Sequence, residues 1–80
     1  KNDNFIAENI SLFPNPINNI LTVLTSKNIE IKNIIISNTL GKKIIETKNK
    51  QIDARQLSKG IYFIKIFTDY GDLHKKIIKN

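Results

Sequence analysis

Eighty residues, with 13 Lys and Arg against 7 Asp and Glu, make one small basic domain. The absence of cysteine excludes a disulfide framework and a thiolate metal site, and no apolar run approaches the roughly 18 residues of a membrane span. A chain this short buries only about 60–65% of its unfolded surface, so its isoleucines, better strand formers than helix formers, must build the core.

Residues 1–9 are polar around Phe5 and Ile6 and read as a linker to an upstream domain, or as a short edge strand; residues 10–80 form the domain proper. The chain starts at Lys1 and not Met, and reads as a piece of a longer protein. The Asn9-Ile10-Ser11 match to a glycosylation acceptor is too short to carry weight. Ile10 to Phe13 is a short strand, stopped by Pro14-Asn15-Pro16. Both prolines fix their own φ and Pro16 keeps Asn15 out of the helical region, so this is a stiff, extended corner. After the turn residues Asn18-Asn19, Ile20 to Thr25 is a strand with Leu21 and Val23 on one face, and Ser26 to Asn28 is a loop.

Ile31 to Ser37 and Ile44 to Thr47 are the next strands. Asn38-Thr39-Leu40-Gly41 lies between them, and Thr68-Asp69-Tyr70-Gly71 occurs later. Glycine in the fourth place suits a type I turn followed by a G1 bulge, which predicts two hairpins. Gln51 to Asp53 is a short strand. Asp53 with Gln56 resembles a capping box and predicts one helical turn that Gly60 ends.

Gly60 to Phe67 is the strongest β signal. Tyr62, Ile64 and Ile66 recur at period two towards a core, with Ile61, Phe63, Lys65 and Phe67 on the other face. Leu73 to Lys79 is the last strand, antiparallel to it. About seven short strands separated by turn signals indicate an all-β, antiparallel β-sandwich. The register implied by the second turn places Phe63 and Phe67 beside Ile77 and Leu73, opposite the Tyr62 face. That stripe is exposed and binds a partner, is reoriented by a bulge, or is covered by a loop. Leu57 to Tyr62 has the form of a tyrosine corner, so the Tyr62 hydroxyl should reach main chain between Arg55 and Gly60.

No catalytic constellation is present. His74 is the only histidine, no serine sits in a nucleophile elbow, and the three glycines are accounted for by turns. Asp69 and Asp72 suit local turn hydrogen bonds better than cation binding. Neither enzymatic activity nor a cofactor is expected. The net charge of +6 invites a nucleic-acid reading, but the lysines are scattered, with Lys42-Lys43 and Lys75-Lys76 the only adjacent pairs. Solvated strand faces and edge protection explain them more simply; no nucleic-acid partner is expected.

Three landmarks then occur in order: Phe13-Pro14-Asn15-Pro16, Asn38-Thr39-Leu40-Gly41-Lys42, and Leu57-Ser58-Lys59-Gly60-Ile61-Tyr62. Lys76-Ile77-Ile78-Lys79 follows at the end. Together, from about Ile10 to Lys79, they resemble the type A C-terminal sorting domain of the type IX (Por) secretion system of outer-membrane bacteria. The family usually carries Asp soon after the Pro-Asn-Pro; Asn18 and Asn19 stand here, which keeps the turn chemistry. The resemblance implies an immunoglobulin-like sandwich that follows a secreted cargo domain. It also implies passage through the periplasm and the outer-membrane type IX translocon to the cell surface or medium, with no membrane insertion of its own. In several relatives a surface sortase-like peptidase removes the tag, so a cut is expected within or ahead of residues 1–9. Recognition is expected at Pro14, Asn15, Pro16, Gly60, Tyr62, Lys76, Ile77, Ile78 and Lys79, where terminal lysines contribute little to a core. The competing reading is an adhesive or carbohydrate-binding sandwich of a surface protein, with Tyr70 its one obvious aromatic contact.

Overall fold

Alternating isoleucines and short turns fold the chain into two facing antiparallel sheets. The computed structural model describes residues 3–26 and 28–80; Lys1 and Asn2 of the expected linker, and Lys27 of the Ser26 to Asn28 loop, lie outside them. The elements are α1 (Asp3–Asn9), β1 (Ile10–Phe13), β2 (Ile20–Thr25), β3 (Ile31–Ser37), β4 (Lys43–Thr47), β5 (Gln51–Asp53), β6 (Gly60–Thr68) and β7 (Gly71–Lys79). One sheet has the order β1-β2-β5 and the other β4-β3-β6-β7. Relative to a constant-type immunoglobulin sandwich, the fourth strand has moved to the sheet of the third.

Each strand turns its even-period apolar residues inward. Leu21, Val23, Ile34, Ile36, Ile64 and Ile66 are fully buried between the sheets, and Ile17, Ile52 and Ile77 belong to the same core. Tyr62, also buried, donates its hydroxyl to the Ser58 carbonyl at 2.8 Å. The tyrosine corner is thus formed where expected.

The first hairpin follows its turn chemistry. The Gly41 amide closes on the Asn38 carbonyl at 3.0 Å and Gly41 takes φ 84°, the G1 position that only glycine occupies cheaply. The Asn38 side chain holds the Leu40 and Lys42 amides at 2.9 and 3.0 Å.

The second hairpin departs from expectation by one residue. Thr68 pairs with Gly71 directly, and the register continues unbroken to Gly60 opposite Lys79. The Thr68 hydroxyl takes the Tyr70 amide at 3.0 Å and donates to the Gly71 carbonyl at 2.7 Å, which tightens the loop to two residues. A one-residue slip exchanges the faces of a strand. Ile77 therefore faces Tyr62 in the core, Leu73 pairs with Ile66, and Phe63 pairs with Lys76. The stripe of Phe63, Phe67, Leu73 and Ile77 does not exist as a unit: Ile77 is fully buried, and Phe67 and Leu73 are half-buried.

Two other local readings are corrected. The single turn expected after Asp53 forms at Ala54 to Leu57, closed by the Leu57 amide on the Ala54 carbonyl at 3.1 Å, but without the capping box. The Asp53 carboxylate instead takes the Arg55 amide at 3.0 Å, the Asx geometry two residues on. Among the described residues no edge strand precedes Ile10; Asp3–Asn9 is helical. A seven-residue helix has little stability of its own, and here Ile6 is driven wholly into the core while the Phe5 ring packs at a tilt against Tyr70, ring centres 5.0 Å apart. Gly71 makes room: a Cβ there would stand 3.2 Å from Ile6 Cδ1.

Candidate functional site

The Pro-Asn-Pro corner carries the chain from β1, at the edge of one sheet, across to β7, at the edge of the other. The peptide bonds before Pro14 and Pro16 are both cis. An edge strand leaves a row of main-chain groups unpaired, and the corner satisfies those at the end of β7. The Ile17 amide donates to the Ile78 carbonyl at 2.7 Å, and the Asn80 amide to the Ile17 carbonyl at 2.9 Å. Ile17 thus forms a parallel bridge with Lys79. The Ile78 amide donates to Asn15 Oδ1 at 3.1 Å, so both outward main-chain groups of Ile78 are held by the corner. Asn80 Nδ2 reaches Asn18 Oδ1 at 3.2 Å.

The same segment of β7 pairs on its other side with the start of β6: Lys79 with Gly60, Ile78 with Ile61, and Ile77 with Tyr62. Landmarks from three parts of the sequence therefore meet at one end of the sandwich. Pro14, Asn15 and Pro16 are exposed there, with Lys76 and Ile78 beside them. Tyr62 and Ile77 lie beneath, inside the core. Lys79 is also buried, contrary to the expectation for a terminal lysine. It points inward in step with Ile77, and its ammonium reaches the Asn80 carbonyl at 3.1 Å, so its alkyl stem packs while its head stays polar.

The outer face of the four-stranded sheet continues from this end. Phe63 and Ile61 on β6 and Ile78 on β7 are 47%, 44% and 40% exposed. Further along, Lys65 Nζ stands 4.8 Å over the Phe67 ring, which shields it. Glu46 closes the far side. The Lys43 ammonium, then Asn33, hydrogen-bond its carboxylate and hold its pKa below the ordinary value. On the opposite sheet the Arg55 guanidinium, through two side-chain hydrogen bonds, lowers the Asp53 carboxyl to about 2.

Asp69 does not serve its own turn; its carboxylate takes the Glu30 amide at 3.0 Å. Tyr70, the aromatic contact of the adhesive reading, packs at a tilt against Phe5 and is 48% exposed. His74 is exposed on β7. Among the described residues no group of three or more His, Cys, Asp or Glu side chains is placed to hold a metal ion. A groove of about 410 Å³ opens between β4 and β5, lined by Ile44, Ile45, Ile52 and Leu57 with polar residues around them. The chemistry available at the assembled end is that of a binding surface: exposed prolines, apolar side chains and lysine. Sequence reasoning missed Ile17, Asn18 and Asn80. The one signal for them was Asn15 itself, a hydrogen-bonding side chain held between two rings that have no amide.

The model of the family described as the secretion system C-terminal sorting domain matches residues 11–80. No curated protein matches the chain.

Proposed function

Because the chain belongs to the family of secretion system C-terminal sorting domains, the sorting signals of type IX cargo proteins, we propose that the export machinery reads the end of the sandwich where Pro14–Pro16, Gly60–Tyr62 and Lys76–Lys79 meet. The observation that carries this reading is the clamp of Asn15 and Ile17 on Ile78. It makes three separate stretches of sequence into one rigid surface, which a receptor can read as a shape.

Type IX sorting domains are fused to upstream cargo and direct its export to the cell surface or medium. In the proposed route the parent crosses the inner membrane by its own signal, and its sorting domain engages the outer-membrane translocon from the periplasm. A surface sortase-like peptidase then separates cargo from tag. The place of Ile6 in the core favours a cut ahead of α1, since cleavage within the helix would withdraw that side chain from the sandwich. The domain acts by being recognised, and no catalytic step is assigned to it. Gly60, Tyr62 and Ile77 serve by shaping the surface, while Pro14, Asn15, Pro16, Lys76 and Ile78 are placed to touch the receptor.

Deletion of residues 76–80 in the full-length parent tests the reading. The parent should accumulate in the periplasm, and undiminished secretion would refute the assignment. The deletion also removes a buried isoleucine, so Asn15→Ala is the companion variant. It takes away one exposed side chain and the Ile78 contact, and should lower secretion of a domain that remains folded.

A further inference from the structure

The outer face of the four-stranded sheet is unevenly furnished. In register across the sheet, the row through Phe63 runs Lys43, Ser37, Phe63, Lys76. The neighbouring row towards the Pro-Asn-Pro corner is Ile61 beside Ile78. In the other direction lie Ile35, Lys65 and His74, then Phe67 opposite Asp72. Three exposed apolar side chains, Ile61, Phe63 and Ile78, are therefore grouped at the corner end, with Lys76 directly beside Phe63, whereas Ile44 on β4, 42% exposed, borders the groove against β5. The acids sit away from them. Glu46 is taken up by Lys43 at 2.6 Å, and Asp72 lies near the opposite end of β7. Neither Lys65 nor Lys76 has a carboxylate partner among the described residues.

We infer that Ile61, Phe63 and Ile78, with Lys76 at their border, form the docking surface for a protein of the export machinery that presents apolar side chains bordered by carboxylates. The inference rests on the sorting reading above and names the chemistry of its partner. Charge complementarity selects this occupant. A second copy of the chain would bring two molecules of net charge +6 together and set lysine against lysine. The outer face of the other sheet also exposes Phe13, Ile20 and Leu24, but its Asp53 and Arg55 are paired with each other and Lys50 at its edge donates to the Thr25 hydroxyl at 3.0 Å. With no lysine among the described residues set directly beside an exposed aromatic, it serves as the control. Aromatic side chains anchor the centre of a protein interface and charges belong to its rim, where a charge governs rate and specificity of encounter.

The experiment measures secretion of the full-length parent, with limited proteolysis of the purified protein to confirm that each variant is folded. Phe63→Ser and Lys76→Glu should each lower secretion at least 10-fold, Lys76→Gln less, and Lys76→Arg little. Leu24→Ser should secrete normally. The gradation from Glu through Gln to Arg is a charge readout, which an exposed lysine with a merely structural role would not produce. Normal secretion of folded Phe63→Ser overturns the inference, as does equal secretion of Lys76→Glu and Lys76→Gln or an equal defect in Leu24→Ser. If deletion of residues 76–80 blocks export while Phe63→Ser and Lys76→Glu do not, the sorting reading stands and the docking surface alone falls. Binding to vesicles of anionic phospholipid that Phe63→Ser abolishes would assign the face to lipid instead. A dimer in sedimentation that the same variant dissolves would assign it to a second copy, and either result overturns the proposal.

Discussion

Removing one oxygen from Tyr62 isolates the corner that fixes the start of β6. The ring is 8% exposed and stays in place in Tyr62→Phe; what is lost is the 2.8 Å bond to the Ser58 carbonyl. A neutral hydrogen bond of this kind contributes about 1 kcal/mol net. Ser58 is exposed, so water can take over its carbonyl and no larger desolvation penalty is added. In a domain of this size such a loss lowers Tm by roughly 4–8 °C. Tyr62→Ala also empties the space under the ring and should destabilise by about 3–5 kcal/mol, most of the margin of so small a fold. Ser58→Ala leaves the acceptor, a main-chain oxygen, untouched and should change nothing. Urea denaturation of the 80-residue chain followed by circular dichroism reads all three as shifts in midpoint at constant slope. The reasoning fails if Tyr62→Phe lies within about 0.3 kcal/mol of the parent while Tyr62→Ala is strongly destabilised. The ring alone would then hold the corner.

Gly71 and Gly41 make a second comparison. Gly41→Ala meets no atom within 4 Å at φ 84° and should carry only the left-handed backbone penalty of about 1–2 kcal/mol. Gly71→Ala, at φ 125° with a Cβ placed 3.2 Å from Ile6 Cδ1, should be the more damaging of the two in the same assay. Part of its excess should disappear in an Ile6→Ala background; equal effects at both glycines would mean that α1 does not press on the hairpin. Asp53 offers a third test, by carboxyl titration in NMR. Its pKa of about 2 should return towards the ordinary ~3.9 in Arg55→Ala. Because the folded value is depressed, its contribution to stability is present above about pH 4 and is lost as pH falls towards 2. The group is exposed, so that contribution is small; an unchanged titration in Arg55→Ala would remove the pair from the account.

The strands were readable chiefly because they state their own burial. Leu21 and Val23, and Tyr62, Ile64 and Ile66, alternate with polar or exposed neighbours, and turn residues separate the runs; Ile34-Ile35-Ile36 is a continuous apolar run, legible as a strand by its β-branched residues but not by face. Strand bounds agree to within one or two residues, the usual uncertainty at an end. Features that depend on contacts distant in sequence were hidden. The helix at Asp3–Asn9 exists because Ile6 finds a glycine on β7, and nothing in seven residues announces that. Lys79 is inside because Ile17 covers the edge it would otherwise share with water. The second hairpin was misread because Thr68 closes the turn with its hydroxyl, which turn-type rules based on glycine position do not include. At the candidate site the separate motifs were visible but their meeting was not. Asn15 was seen as part of a stiff corner, whereas its partner is the amide of Ile78, 63 positions away.

β7 runs from the pole where α1 rests on Gly71 to the pole where Lys79 meets Ile17, a span of about 26 Å at the usual rise of a strand. Cargo joined through α1 and a receptor holding the corner would therefore pull along this strand rather than across it. The load path is the main chain of α1 and β1, which runs directly into the corner, so the sheets feel it as shear along the β1–β2 ladder, Ile10 to Phe13 against Thr22 to Thr25, instead of rungs opening one by one. The domain can then be hauled as a solid handle while whatever it tows remains attached.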